Sequence, residues 1–292
     1  MKIAIYGRAF NEKYAATIQQ LFDKLSDAGV KLFIYEPFNF YLFSRIKTGP
    51  NISTFKRQDE ICSKVDFLLS IGGDGTLLDT ITFVKNSGLP ILGINTGRLG
   101  FLSSISTDAI EEAITALLKG NYSLDKRTLL RLETENNLFG DINYALNELT
   151  IHKKDSSSMM TIHAYINGEY LNSYWADGLI VSTPTGSTAY SLSCGGPIIL
   201  PGSENFIITP IAPHNLNVRP VVISDKSTIT LKIEDRSSNY MATLDSRTET
   251  IDTTVELTIK KESFRINLIR LNNQNFLATL RNKLMWGMDL RN

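Results

Sequence analysis

Phe67-Leu68-Leu69-Ser70-Ile71-Gly72-Gly73-Asp74-Gly75-Thr76-Leu77-Leu78-Asp79-Thr80-Ile81-Thr82-Phe83-Val84 is an apolar run, then three glycines around one acid, then a helical pattern. Phe67–Ile71 reads as a buried strand and 76–84 as a helix. Glycines at a strand-to-helix turn let the backbone approach a phosphate, with N–H groups and the positive end of the helix facing the anion. Asp74 is the only carboxylate in the turn, placed to orient a hydroxyl nucleophile or to help hold a metal ion. Taken alone, the same four residues also fit a tight turn with a capping aspartate.

Outward from this turn, the first ~120 residues alternate strand and helix patterns. Strands are expected at Lys2–Tyr6, Lys31–Tyr35 and Pro90–Ile94. A helix is expected over 12–28, with Ile18, Leu21, Phe22 and Leu25 on one face and Gly29 as its stop. Another is expected over 108–119, capped by Thr107 and ended by Gly120. This order predicts a parallel sheet covered on both faces. From Tyr122 the pattern changes to strands, at 122–134, 141–153, 159–166, 169–181, 226–234, 240–245, 254–260 and 263–269. Asn167-Gly168 is a hairpin turn, and Ser187–Ser193 reads as one short helix. The last pattern, 273–286, is helical and is expected to return to the first domain. The expected fold is therefore α/β plus all-β. Residues 1–121, with 272–292 packing back, are expected to form a Rossmann-like α/β domain, and residues 122–271 a β-rich, sandwich-like domain.

Composition narrows the function. The chain of 292 residues is 42% hydrophobic and 21% charged, enough to bury a real core. Thirty basic and thirty acidic residues balance with no long block of one sign, which argues against nucleic-acid binding. Cys62 and Cys194 are too few for a disulfide framework or a zinc set. No segment reaches the ~18 apolar residues of a membrane span, and the N-terminal apolar run is too short for a signal peptide. A cytoplasmic location is expected. There is no Gly-Lys pair for a P-loop and no dinucleotide fingerprint, since Leu78 stands where its third glycine belongs. His152, His163 and His214 lack metal-ligand spacing.

Four other patches carry polar chemistry. Asp177–Pro197 runs from an apolar strand into a loop dense in hydroxyls and glycine, then a short helix with Tyr190. Hydroxyls and N–H groups there suit phosphate or ribose, and an aromatic beside them suits a base. Asn147-Glu148 lies inside a strand pattern, where adjacent side chains point to opposite faces. A bulge or strand end is needed to bring both into one pocket. In Asn95–Leu102, Arg98 suits a phosphate, and Phe101 suits either a purine or the core. Pro210–Pro220 reads as a rigid structural loop.

Together Gly72–Thr76, Asn95–Leu102, Asn147-Glu148, Asp177–Pro197 and Pro213–Pro220, in this order and spacing, closely resemble the NAD kinase family. The resemblance covers roughly residues 67 to 247. It implies transfer of the γ-phosphoryl of ATP, with Mg²⁺ or another divalent metal, to the 2′-hydroxyl of the adenosine ribose of NAD, giving NADP. It makes Asp74 the proton acceptor and Gly72, Gly73, Gly75 and Thr76 the phosphate loop. It puts Arg98, Phe101, Asn147 and Glu148 at the nucleotide, the last two at the adenosine. It puts Asp177 near the nicotinamide end, with Thr188, Ala189, Tyr190, Ser191, Leu192 and Ser193 along the NAD pocket. Arg247 stands where several members have a polar binding residue. Between 156 and 175, where some members have basic or histidine contacts, this chain has Ser158 and Trp175. The resemblance also implies a homodimer or homotetramer. Two other readings remain: a lipid kinase sharing the Gly-Gly-Asp-Gly loop, and a noncatalytic NAD-binding regulator.

Overall fold

Short apolar runs punctuated by glycine become a parallel sheet in the first part of the chain. The computed structural model describes residues 1–97, 100–103, 105–154, 159–234, 239–272 and 274–286. In chain order the first elements are β1 (Lys2–Gly7), α1 (Ala15–Asp27), β2 (Lys31–Tyr35), α2 (Glu36–Leu42) and β3 (Ile52–Phe55). Then come β4 (Phe67–Gly72), α3 (Asp74–Val84), β5 (Ile91–Asn95) and α4 (Ile110–Leu118). The strands pair in parallel in the order β5-β4-β1-β2-β3. Every residue of β4 and β5 is buried, as expected for strands covered on both faces.

The two faces take different helices. Ile3, Ile5, Leu69, Ile71, Leu92 and Ile94 share a core with Ile18, Leu21, Phe22 and Leu25 of α1 and Ile110, Ile114 and Leu117 of α4. The opposite face receives α3: Thr80 Oγ1 donates to Ser70 Oγ at 3.0 Å, and Gly93 leaves room for Leu77. A Cβ at Gly93 would lie 2.8 Å from Leu77 Cδ1, too close for a side chain.

The second part of the chain is antiparallel. It holds β6 (Tyr122–Glu133), β7 (Tyr144–Ala145), β8 (Glu148–Lys153), β9 (Met160–Ile166), β10 (Glu169–Ala176) and β11 (Gly178–Ser182). The short α5 (Tyr190–Ser193) follows, then β12 (Asn205–Ile211), β13 (Val221–Ser224), β14 (Ile229–Glu234), β15 (Asn239–Leu244) and β16 (Arg247–Asp252). The chain closes with β17 (Leu257–Leu271) and α6 (Phe276–Leu284). One sheet runs β13-β12-β11-β8-β15-β16; in the other, β10, β9, β14 and the start of β17 are neighbours. Alternate residues of both sheets meet in one core, among them Leu149, Ile151, Val181 and Ile208 against Ile162, Ala164, Leu231 and Ile259. This is sheet-on-sheet packing with the in–out period of two.

The chain divides into two compact units, 1–126 with 266–292, and 127–265. The sequence expectation set these limits at 121/122 and 271/272; the observed ones fall inside β6 and β17. The end of β17 joins the parallel sheet through Leu268 opposite Ile91, and α6 belongs to the first unit, with the Phe276 ring 6.5 Å from Phe101.

Several expected elements differ. The run 141–153 is broken before Glu148, and 169–181 is two strands in different sheets, with Asp177 at the break. The expected strands 254–260 and 263–269 are one, β17. The helix expected over 187–193 is a 3-10 turn at Gly186–Thr188 followed by α5. The helix after Gly73 begins at Asp74, two residues before the expected start.

Candidate active site

In the first unit, β4 ends in a turn that only glycine allows. Gly72 has φ +156°, and a Cβ there would run into the side chain of Thr76 one helical turn on. Gly73 caps α3 without a side chain, and the spaces where Gly73 and Gly75 would carry a Cβ are open. The first turn of any helix leaves N–H groups without helical partners, so this edge can receive an anion.

Asp74 is the first residue of α3, and its carboxylate turns toward the loop after β5. Oδ2 accepts the N–H of Phe101 at 2.8 Å. Oδ1 accepts those of Leu102 at 3.2 Å and Ser103 at 2.8 Å. Among the described residues, three donors fix the carboxylate plane and use three of its roughly four acceptor positions, which leaves one on Oδ2. Gly100 is required here, because a Cβ at that position would coincide with the Asp74 carboxylate. The loop is folded back by Asn95, whose N–H reaches Ile105 O at 2.7 Å and whose Oδ1 accepts Gly97 N–H at 2.6 Å. Phe101 is half-buried, beside Phe276 and with Lys283 Nζ 5.5 Å from its ring centre. It is thus part of a local aromatic contact on the first unit. Arg98 lies outside the described residues, as does Ser158.

In the second unit, Asn147 and Glu148 are both buried. The conflict seen in the sequence is resolved by a strand end: β8 begins at Glu148, and Asn147 precedes it. The carboxylate of Asp245 holds the bend, accepting N–H from Leu146 at 2.8 Å, Asn147 at 2.8 Å and Glu148 at 3.2 Å. Sequence reasoning did not single out Asp245. Its signal was the Asp-Ser pair between two strand patterns, a turn in which Asp tolerates positive φ, here +54°. Burial and the neighbouring Asp245 push the Glu148 carboxyl up to about 8, while the Tyr190 N–H pulls it down. Its Oε2 is buried without a hydrogen-bond partner.

The loop from Thr183 packs against this bend. Thr183 N–H reaches Asn147 O at 2.9 Å, and a Cβ at Gly186 would strike the Asn147 backbone. Within 188–193 the exposures diverge. Tyr190 is 40% exposed and Ser193 is exposed, whereas Ser191 is fully buried with Oγ 2.8 Å from Thr209 Oγ1. Thr188, Ala189 and Leu192 are half-buried. Ser191 therefore anchors α5, and Tyr190 offers its ring to solvent. Asp177 pairs with Lys153 at 2.5 Å, a partner not read from the sequence. Arg247 donates to the carbonyls of Ile142 and Tyr144 and lies over the Tyr144 ring.

Among the described residues no three or more His, Cys, Asp or Glu side chains gather into a metal-holding group. No helix among them is long and apolar enough to cross a membrane.

Similarity to known proteins agrees with this chemistry. Residues 3–122 match the family model of the ATP-NAD kinase N-terminal domain, and 146–271 that of the ATP-NAD kinase C-terminal domain. The chain is 49% identical over 293 residues to an NAD kinase of Cytophaga hutchinsonii, covering 100% of both. It is 45% identical over 291 residues to one of Bacteroides fragilis, again covering 100% of both. Among solved structures, it resembles yeast NADH kinase complexed with NADH, with TM-score 0.87 and 25% identity, covering 100% of this chain and 89% of the other. It also resembles an NAD kinase from Archaeoglobus fulgidus in complex with ATP, with TM-score 0.73 and 26% identity, covering 98% of this chain and 99% of the other.

Proposed function

The chain belongs to the ATP-NAD kinase family, and from that premise we propose that Asp74 is the residue that receives the reacting hydroxyl. The enzyme transfers the γ-phosphoryl of ATP to the 2′-hydroxyl of the adenosine ribose of NAD, giving NADP. A ribose hydroxyl is a weak nucleophile at neutral pH. A carboxylate in hydrogen-bond reach orients it and takes its proton as the new P–O bond forms; such a base contributes ~10²–10⁴-fold. The transition state is loose, so the proton moves late and positioning dominates. The observation that carries this reading is the Asp74 carboxylate itself, fixed by three backbone donors with its open acceptor position on Oδ2.

The other roles follow from what each group offers. The first-turn N–H groups of α3, reached past the bare backbone of Gly72, Gly73 and Gly75, suit the transferring phosphoryl, with Thr76 buried beneath them. Asn147 and Glu148 are assigned to the adenosine, Asp177 to the nicotinamide end, and Thr188–Ser193 to the dinucleotide, with Tyr190 against a base. Glu148, kept largely neutral near pH 7, meets the ribose without adding charge repulsion against the pyrophosphate. Mg²⁺ or a similar ion is assigned to the nucleotide. The single open acceptor on Asp74 suits an ion that binds through phosphates and keeps its waters, and when bound it neutralises triphosphate charge. We also assign the enzyme to the cytoplasm, where its two unbridged cysteines fit a reducing medium, and to a homodimer or homotetramer, which sedimentation will test.

The test of function is NADP formation from NAD, ATP and Mg²⁺, read by an NADP-specific dehydrogenase, beside diacylglycerol as a rival acceptor. NADP formation is expected. Calorimetric NAD binding with no NADP would favour the regulator, and a phosphorylated lipid the lipid kinase. For the role of Asp74, Asp74→Asn is expected to lower kcat by ~10²–10⁴-fold. Its amide nitrogen cannot accept an N–H, so at least one of the three loop bonds is also lost. Near-normal kcat in that variant overturns the assignment.

A further inference from the structure

We propose that Asp245 is a positioning residue for NAD: its carboxylate, with Arg247 as its counterpart, clamps residues 142–148 into the bend that presents Asn147 and Glu148 to the substrate. The inference rests on the reading that those two side chains meet NAD.

In a regular strand successive N–H groups point to opposite sides. Here three successive ones, from Leu146, Asn147 and Glu148, converge on one carboxylate. That convergence is a concave nest of the kind that binds anions, filled by a side chain of the same unit. The interaction is reciprocal, since Asp245 N–H donates to Glu148 O at 3.1 Å. Asp245 leaves β15 in the left-handed conformation, with φ +54°, which turns its side chain back onto the segment. Two residues later Arg247 takes the carbonyls of Ile142 and Tyr144. One hairpin turn thus grips both ends of the segment, the acid by its N–H groups and the base by its C=O groups.

The clamp also contributes to the charge state of Glu148. The ionisable groups that face Glu148 are Asp245 from the hairpin and Cys194 just after α5, and the Tyr190 backbone N–H donates to its carboxyl. Across the sheet it meets Ser182 of β11, which carries no charge. Burial pushes the Asp245 carboxyl up, while its three backbone donors and then Arg247 pull it down and favour its charged form. Burial first, and then Asp245 beside it, raise the Glu148 carboxyl above its ordinary range. Removing the Asp245 charge is therefore expected to let Glu148 ionise at lower pH.

The experiment measures kcat, KM for NAD and KM for ATP against pH in the full-length enzyme and in Asp245→Asn, Asp245→Ala and Glu148→Gln. A hydrogen bond to a charged group is worth about one to two decades. Asp245→Asn, whose Oδ1 still serves two of the three donors, is expected to raise KM for NAD roughly 10-fold and Asp245→Ala up to roughly 100-fold. KM for ATP should stay within about a factor of two, below what one hydrogen bond is worth. The pH at which KM for NAD breaks is expected to move to the acid side in Asp245→Asn and to vanish in Glu148→Gln. If Glu148→Gln leaves KM for NAD unchanged, the reading of Glu148 as an NAD contact fails. If Glu148→Gln raises it while folded Asp245→Asn leaves both KM for NAD and its pH profile unchanged, the clamp is overturned. Equal rises in both KM values with an unmoved pH profile also overturn it, because a merely structural acid behaves that way. Asp245→Asn alone decides these outcomes should Asp245→Ala fail to fold.

Discussion

Glu148 and Asp74 are both carboxyls beside backbone N–H groups, and their surroundings treat them in opposite ways. Asp74 is half-exposed and receives three donors; Glu148 is 8% exposed, and its Oε2 has none. Glu148 therefore carries a stability cost that depends on pH. Its carboxyl is raised from the ordinary 4.5 to about 8 in the folded chain. Below 4.5 both folded and unfolded chains hold the proton, and stability is full. Between 4.5 and 8 only the folded chain holds it, so stability falls as pH rises, by a total on the order of 5 kcal/mol, and levels above 8. Urea midpoints measured from pH 5 to 9 are expected to fall in the native sequence and to fall less in Glu148→Gln. Parallel curves would contradict the buried, protonated acid. At this scale the sequence showed the acids themselves but not their partners. Asp245 lies 97 residues from Glu148 in the chain, and a loop acid gives no sign of which N–H groups it will find.

Elements were legible where one pattern fills one strand. Asn167-Gly168 predicts a hairpin, and both residues have positive φ, +53° and +87°, between β9 and β10. Asn167 also accepts Thr228 N–H at 2.9 Å through its side chain. Asn167→Ala is expected to cost ~1–2 kcal/mol, since alanine tolerates the left-handed region poorly and the side-chain bond is lost. Equilibrium urea unfolding measures it, and a change within about 0.3 kcal/mol would contradict the turn assignment. Elsewhere the period of two misled. Apolar runs flank Asp177-Gly178 on both sides, so β10 and β11 read as one strand although they lie in different sheets. β12 went unread because Pro210 sits within it, and β16 because Arg247–Asp252 is a polar edge strand without a clean apolar face. Lys261-Glu262 split β17 in the reading; Glu262 is buried within the strand and Ser263 donates to it. The turn between β4 and α3 was readable because Gly72 there takes a backbone conformation and an approach to Thr76 that only glycine allows. The Asp74 tie to 101–103 was not, because it joins two loops of different strands.

At the scale of the whole molecule, each unit has its own core. In the first, Phe22 is completely buried among Ile18, Leu25 and the β1–β4–β5 face. Phe22→Ala is expected to lower stability by ~3–5 kcal/mol in urea unfolding, through lost burial and the cavity left behind. A loss below about 1 kcal/mol would mean that this face is not packed as described. The α/β-then-β order was readable because buried parallel strands are continuous apolar runs and sandwich strands alternate. The unit limits were harder, because they fall within long strands where composition does not change. The proposed reaction requires one ribose oxygen at the Asp74 carboxylate. The most direct test is a crystal structure of the enzyme with NAD bound. The account predicts the adenosine 2′-oxygen about 2.6–3.2 Å from Asp74 Oδ2, with the Phe101, Leu102 and Ser103 N–H bonds intact. A 2′-oxygen beyond hydrogen-bond reach of Asp74, or turned to bulk solvent, would contradict it.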